Sequence, residues 1–179
     1  MKFLPLIFFL CLSCSSFGQQ WVVTPNGLRN TADPRMKYLT ISGGELSARK
    51  LYDNARKYII ENNPDSLRKI KLEWDSVALV FDTYLPYLVT FNVFLTTMRF
   101  DAYYTTELRF NAGSVRYEIT FIDMADVASA NKLTFRGSSI TNTSVYSNKG
   151  KLLRPDVKEI IEKHFNGELI KMSEALNQP

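Results

Sequence analysis

Hydrophobic positions change period twice along this chain, and each change marks a change of element. Ala48, Leu51, Tyr52, Ala55, Tyr58 and Ile59 recur at helical spacing, while Arg49, Lys50, Asp53, Arg56 and Lys57 fill the other faces. Ser42, Gly43, Gly44 and Glu45 precede this stripe in the S-x-x-E order of a capping box, so a helix is expected to begin there. Asn62, Asn63 and Pro64 end it. Past Pro64 the period drops to two: Arg68, Ile70, Leu72 and Trp74 share one face, and Lys69, Lys71 and Glu73 the other. Asp75 and Ser76 make a turn, and residues 77–81 return as a strand.

Residues 84–100 are the most apolar stretch after the leader, but Pro86, Asn92 and three threonines interrupt them, which favours one or two buried strands over a membrane helix. Tyr104, Thr106, Leu108 and Phe110 form the inward face of the next strand, with Tyr103, Thr105, Glu107 and Arg109 outward. Residues 111–114, with Gly113, supply the turn; Val115, Tyr117, Ile119 and Phe121 then point inward again, and Arg116, Glu118 and Thr120 outward.

The flanks are less regular. Trp21 to Val23 are apolar, Pro25, Asn26, Gly27 and Pro34 mark a loop, and residues 37–41 read as a short strand. Residues 123–132 fit a short helix or a loop, and residues 134–150 support a weak edge strand at best. Pro155 suits the first turn of a closing helix whose apolar stripe runs through Val157, Ile160, Ile161, His164, Phe165, Leu169, Met172 and Leu176; Gly167 is expected to kink or split it. The order strand, helix, several antiparallel strands, helix predicts an α+β fold, a curved antiparallel sheet with helices packed on one face.

Residues 50–60 (KLYDNARKYII), the strands after them and residues 107–121 (ELRFNAGSVRYEITF) together resemble an uncharacterised bacterial secreted family. Its domain has a TATA-binding-protein-like (TBP-like) fold. The resemblance runs over about residues 38–123: a Leu51-Tyr52 pair opens the helix, and a hairpin with Gly113 at its turn leads into an Arg116-Tyr117 strand. It implies that fold and an exported setting, and no reaction. The strands around residues 82–89 depart from the pattern in carrying no glycine.

The chain has 179 residues, 45% hydrophobic and 22% charged, which suits one globular domain and excludes disordered or collagen-like classes. Its beginning reads as a secretory signal. Lys2 precedes the apolar run of residues 3–12, and Ser16, Phe17 and Gly18 place small residues at the two positions that signal peptidase reads. Cleavage between Gly18 and Gln19 leaves residues 19–179 as the domain. The alternative is a lipoprotein signal, with Leu12 and Ser13 before an acylated Cys14. Cleavage after Gly18 removes both cysteines, and with them thiol catalysis and cysteine-ligated zinc. Only Lys2 is lost among the charged residues, so the net charge moves from +4 to +3.

Candidate chemistry is sparse. His164 is the single histidine and sits on an apolar stripe, where packing explains it better than general-base catalysis. Glu107 and Glu118 share an outward face and could form a glycosidase pair, but Arg109 and Arg116 beside them would hold both acids ionised; a solvated checkerboard of charges is expected. Gly43 and Gly44 precede a helix without the Lys-Ser/Thr of a phosphate loop, so capping explains them. Arg49, Lys50, Arg56, Lys57, Arg68, Lys69 and Lys71 gather basic charge, diluted by Asp53, Glu61 and Glu73.

The sequence thus predicts a non-enzymatic, exported accessory module, periplasmic or at the cell surface, with no catalytic, metal-binding or cofactor-binding residues. Its expected partner is a protein or envelope component rather than nucleic acid, and it meets the membrane only if Cys14 is acylated. The alternatives are a carboxylate-dependent hydrolase acting on an envelope glycan, and a structural protein that self-assembles through an edge strand.

Overall fold

A computed structural model describes residues 19–61, 67–93, 95–129, 131–137 and 143–178. The expected signal, with Gly18 and Cys14, lies outside the described residues, as do the helix stop at residues 62–64 and the side chain of Phe121. The elements in order are β1 (Trp21–Thr24), β2 (Gly27–Asn30), β3 (Tyr38–Ser42), α1 (Ala48–Glu61), β4 (Arg68–Trp74), β5 (Ala78–Val93), β6 (Thr96–Asn111), β7 (Ser114–Asp126), β8 (Thr134–Gly137), β9 (Ser144–Ser147) and α2 (Pro155–Leu176).

Period-two alternation in β4 to β7 generates an antiparallel meander, and β3 docks on the outer side of β7, giving a five-stranded sheet in the order β3-β7-β6-β5-β4. One face is apolar. Leu39, Leu79, Phe81, Leu108 and Val115 from the strands meet Leu51 and Ile59 of α1 and Ile161 and Phe165 of α2 in a single buried core. The architecture is α+β, with both helices against this face, as the hydrophobic pattern requires.

Several local expectations are corrected. The stretch after Trp21 is a hairpin, since Gly27 at φ 90° closes a two-residue turn between β1 and β2. The outward groups of β1 are satisfied by α2: Trp21 N donates to Asn166 Oδ1 at 2.7 Å and Val23 N to Glu162 Oε1 at 2.8 Å. Tertiary partners of that kind leave no local signal. The helix does not start at the capping box. Ser42 ends β3, and Ser47 caps α1 by accepting Lys50 N at 3.2 Å.

Gly43 serves close packing, since a Cβ there would lie 2.6 Å from the Leu51 side chain, and Gly44 takes φ 58° with open space around it. Gly43 N donates to Gly113 O and Gly113 N to Leu46 O, both at 2.9 Å, stitching the β6–β7 turn to the loop before α1. A Cβ on Gly113 would lie 2.8 Å from Gly44 O, and Gly113 itself has φ 74°.

β4 does not keep one apolar face. Its pairing with β5 shifts between Ile70 and Leu72, and the extra residue turns Leu72 and Trp74 to the side away from the helices. A second shift between Thr105 and Thr106 ends the simple alternation of β7: Ile119 is only partly buried, whereas Met124 is fully covered. β7 continues to Asp126, so the first four residues of the helix-or-loop segment are strand, and residues 127–129 form a bend. The serine- and threonine-rich stretch yields β8 and β9, which pair in parallel as a small separate sheet. α2 runs unbroken through Gly167, where the sequence predicted a kink. Among the described residues no helix is long and apolar enough to cross a membrane.

Candidate functional site

Among the described residues none covers the side of the sheet opposite the helices, and alternation places on it the charged and aromatic positions of five strands. Glu107 pairs across strands with Glu118, and Arg109 with Arg116, so like charges stand opposite one another. The neutralisation runs along each strand instead: Arg109 Nε donates to Glu107 Oε1 and Arg116 Nη2 to Glu118 Oε2, each at 2.5 Å. The expected alternation of opposite charges is therefore an alternation of like-charged rows. Arg116 also lies 4.0 Å over the Tyr38 ring from β3.

One carboxylate on this face is nearly inaccessible. Asp82 is 6% exposed and accepts hydrogen bonds from Thr105 Oγ1 at 2.6 Å and from Tyr103 Oη, with Lys71 Nζ at 3.3 Å. Burial raises its carboxyl, and these three donors together outweigh that effect and hold it below the ordinary aspartate value. Asp101 does similar work at the neighbouring position, accepting Tyr84 Oη and the Tyr87 backbone N–H. Sequence reasoning missed this set, because neither aspartate lies near its partners in the chain.

At the β4 corner the face becomes apolar. Trp74 is 65% exposed and Leu72 54%, and with Val77, Ala78 and Val80 they line an open depression of about 450 Å³ beside Glu107 and Arg109. Both residues stood on the inward face of the sequence reading; the bulge in β4 turned them outward.

The remaining candidates are dispersed. Of the basic cluster, Arg49 bonds Asp53 and Asp75, Arg56 bonds Glu73, Lys71 reaches Asp82, and Arg68 leaves that surface to pair with Glu168 of α2. Both partners of this last pair are largely buried. Among the described residues no three of His, Cys, Asp and Glu converge to hold a metal ion. Gln19, the expected first mature residue, caps the open edge of β3: its Oε1 accepts Thr40 N at 2.8 Å and Asn30 Nδ2 at 3.1 Å.

His164 packs edge-on to Phe165 and Tyr104, with its Nε2 at 3.2 Å from Tyr104 Oη. Burial lowers its imidazole below the ordinary 6.5, with Glu168 opposing and Lys171 and Arg68 reinforcing the shift. The unfolded chain therefore takes up this proton more readily than the folded one. The stabilising contribution is complete above pH 6.5 and is lost as pH falls below it. Urea midpoints at about pH 7.5 and about pH 5.5 are expected to differ more in the native chain than in His164→Gln. Equal differences in the two proteins would show that His164 does not contribute.

Fold and site together define a class: an α+β protein whose antiparallel sheet has one helix-covered and one open face. Two solved structures are similar to it. A DUF4468 family protein from Bacteroides ovatus superposes with a TM-score of 0.55 at 14% identity, covering 79% of this chain and 85% of that one. A TBP-like protein from Parabacteroides distasonis gives a TM-score of 0.56 at 6% identity, covering 79% of this chain and 91% of that one. Likeness at these identities establishes the fold alone. No family model matches the sequence, and no curated protein matches it.

Proposed function

We propose that this chain is an exported, non-catalytic recognition module that holds a protein or another envelope component against the open face of its sheet. The observation that carries the reading is the exposed apolar corner of Leu72 and Trp74 on that face, rimmed by Glu107 and Arg109. Contiguous apolar surface bordered by charge marks a contact site more often than scattered single residues do. Recognition is favoured over hydrolysis by the state of the carboxylates: Glu107 and Glu118 are each bound by an arginine, and Asp82 by three donors. A two-carboxylate hydrolase needs one acid that stays protonated. Export rests on the leader sequence. Mass spectrometry of the natural N-terminus separates cleavage before Gln19 from acylation at Cys14.

The test uses the native mature chain and its Leu72→Asp and Trp74→Ala variants, immobilised and exposed to detergent-solubilised envelope and to purified cell-wall sacculi. Retention of one component is expected, weakened about tenfold or more in either variant, the loss of roughly 1.4 kcal/mol. Trp21 is 2% exposed, so a fluorescence change on binding would report Trp74. Equal retention by all three proteins would exclude the open face. Turnover of an envelope glycan that disappears in Glu107→Gln or Glu118→Gln would replace the reading with the hydrolase.

A further inference from the structure

A second surface, at the β5 edge of the sheet where it meets α2, combines two local features of the backbone. Between β5 and α2 runs a groove of about 550 Å³, floored by Leu85, Leu88 and Ile160 and bordered by Tyr87, Lys163 and Gly167. On the strand side, pairing with β6 slips between Leu85 and Val89, and Tyr87 takes φ 54°, a left-handed conformation that a side chain with a Cβ rarely adopts. The strain is held in place: Asp101 Oδ1 accepts Tyr87 N at 2.9 Å, and the Tyr87 ring remains 54% exposed. On the helix side, Gly167 stands inside an unbroken α2, where a Cβ would meet no atom within 4 Å. Packing therefore gives no reason for glycine at this position. Strained residues, and glycines that bare the backbone, gather where a ligand approaches closely.

Charge narrows the ligand. Glu168 is occupied by Arg68 and Lys171, whereas Lys163 has no carboxylate partner among the described residues. The rim thus keeps a surplus of positive charge above an apolar floor, and the volume suits a small molecule. We propose that this groove binds a small amphiphilic organic anion, its apolar body lying between Tyr87 and the bare helix backbone at Gly167, and its acidic group at Lys163.

The probe is 8-anilinonaphthalene-1-sulfonate, followed by its fluorescence on the folded mature chain, with octanoate as competitor. Saturable binding displaced by octanoate is expected. Gly167→Ala should raise the thermal midpoint by about 2–4 °C, because alanine favours the helix, and at the same time weaken probe binding about fivefold or more. Gly167→Leu should abolish binding, Lys163→Glu should weaken it about fivefold or more, and Val127→Ala, an exposed apolar residue outside both surfaces, should leave it unchanged. A raised midpoint in Gly167→Ala with unchanged affinity would overturn the proposal, since glycine would then have no ligand role. Loss of binding in Val127→Ala would overturn it too, by placing the probe outside the groove. Failure of octanoate to compete, or indifference to Lys163→Glu, would refute the anionic assignment.

Discussion

Replacing Phe165 with alanine is expected to lower the unfolding free energy by about 4 kcal/mol, the largest single loss among the substitutions considered for this protein. The ring is wholly inaccessible and sits where α2 meets the sheet, 5.0 Å from the Tyr104 ring and 5.0 Å from His164, edge-on to both. Truncation removes buried apolar area and leaves a cavity that a strand and a helix, each fixed by its own backbone hydrogen bonds, cannot close. Phe165→Leu keeps most of the volume and should cost under about 1.5 kcal/mol. Urea unfolding with unchanged slope checks both values. A loss below about 1.5 kcal/mol for the alanine variant would mean that α2 does not anchor the core here. A small domain holds only about 5–15 kcal/mol in total, so the variant should also unfold at markedly lower temperature.

Glu168→Gln should cost about 3 kcal/mol, through a different mechanism. Arg68 and Glu168 have side chains only 12% and 14% exposed, and Arg68 lies 5.2 Å from the Tyr58 ring centre. Removing the carboxylate takes away the ion-pair partner of a guanidinium that the fold keeps largely from water. Removing both charges leaves no such lone cation. The double variant Arg68→Met, Glu168→Leu is therefore expected within about 1 kcal/mol of the native chain. Chemical denaturation of the three proteins decides the matter: a single variant as stable as the native chain would show that water reaches the pair, and a double variant no better than the single would show that the geometry, and not the lone charge, sets the cost.

Much of the scaffold was legible because its signals are local. The helical stripe of α1, the alternation of β6 and of the first half of β7, the Gly113 turn and the long C-terminal helix opened by Pro155 each depend on residues within one or two turns or strands of one another. The errors fell where a distant partner overrides local preference. Ser42 looks like a helix cap, but pairing with β7 draws it into a strand and passes the cap to Ser47. Arg68 belongs by sequence to a basic surface, yet Glu168, a hundred residues later, takes it away from that surface.

The candidate site was legible only in part. Glu107, Arg109, Arg116 and Glu118 were placed correctly on one outward face, because alternation alone fixes which way they point. Leu72 and Trp74 were placed inward, because a one-residue bulge reverses every later side chain and leaves no mark in the hydrophobic pattern.

Periodicity in this chain determined its two helices and the central strands, and that a two-layer α+β arrangement would bury them. It could do so because 3.6- and 2-residue repeats are properties of the backbone itself. The tertiary structure alone decided where pairing slips, which apolar residues are left facing water, and which distant charges meet. Those outcomes depend on the balance of whole strands and helices packed against one another, and no short window of sequence contains that balance.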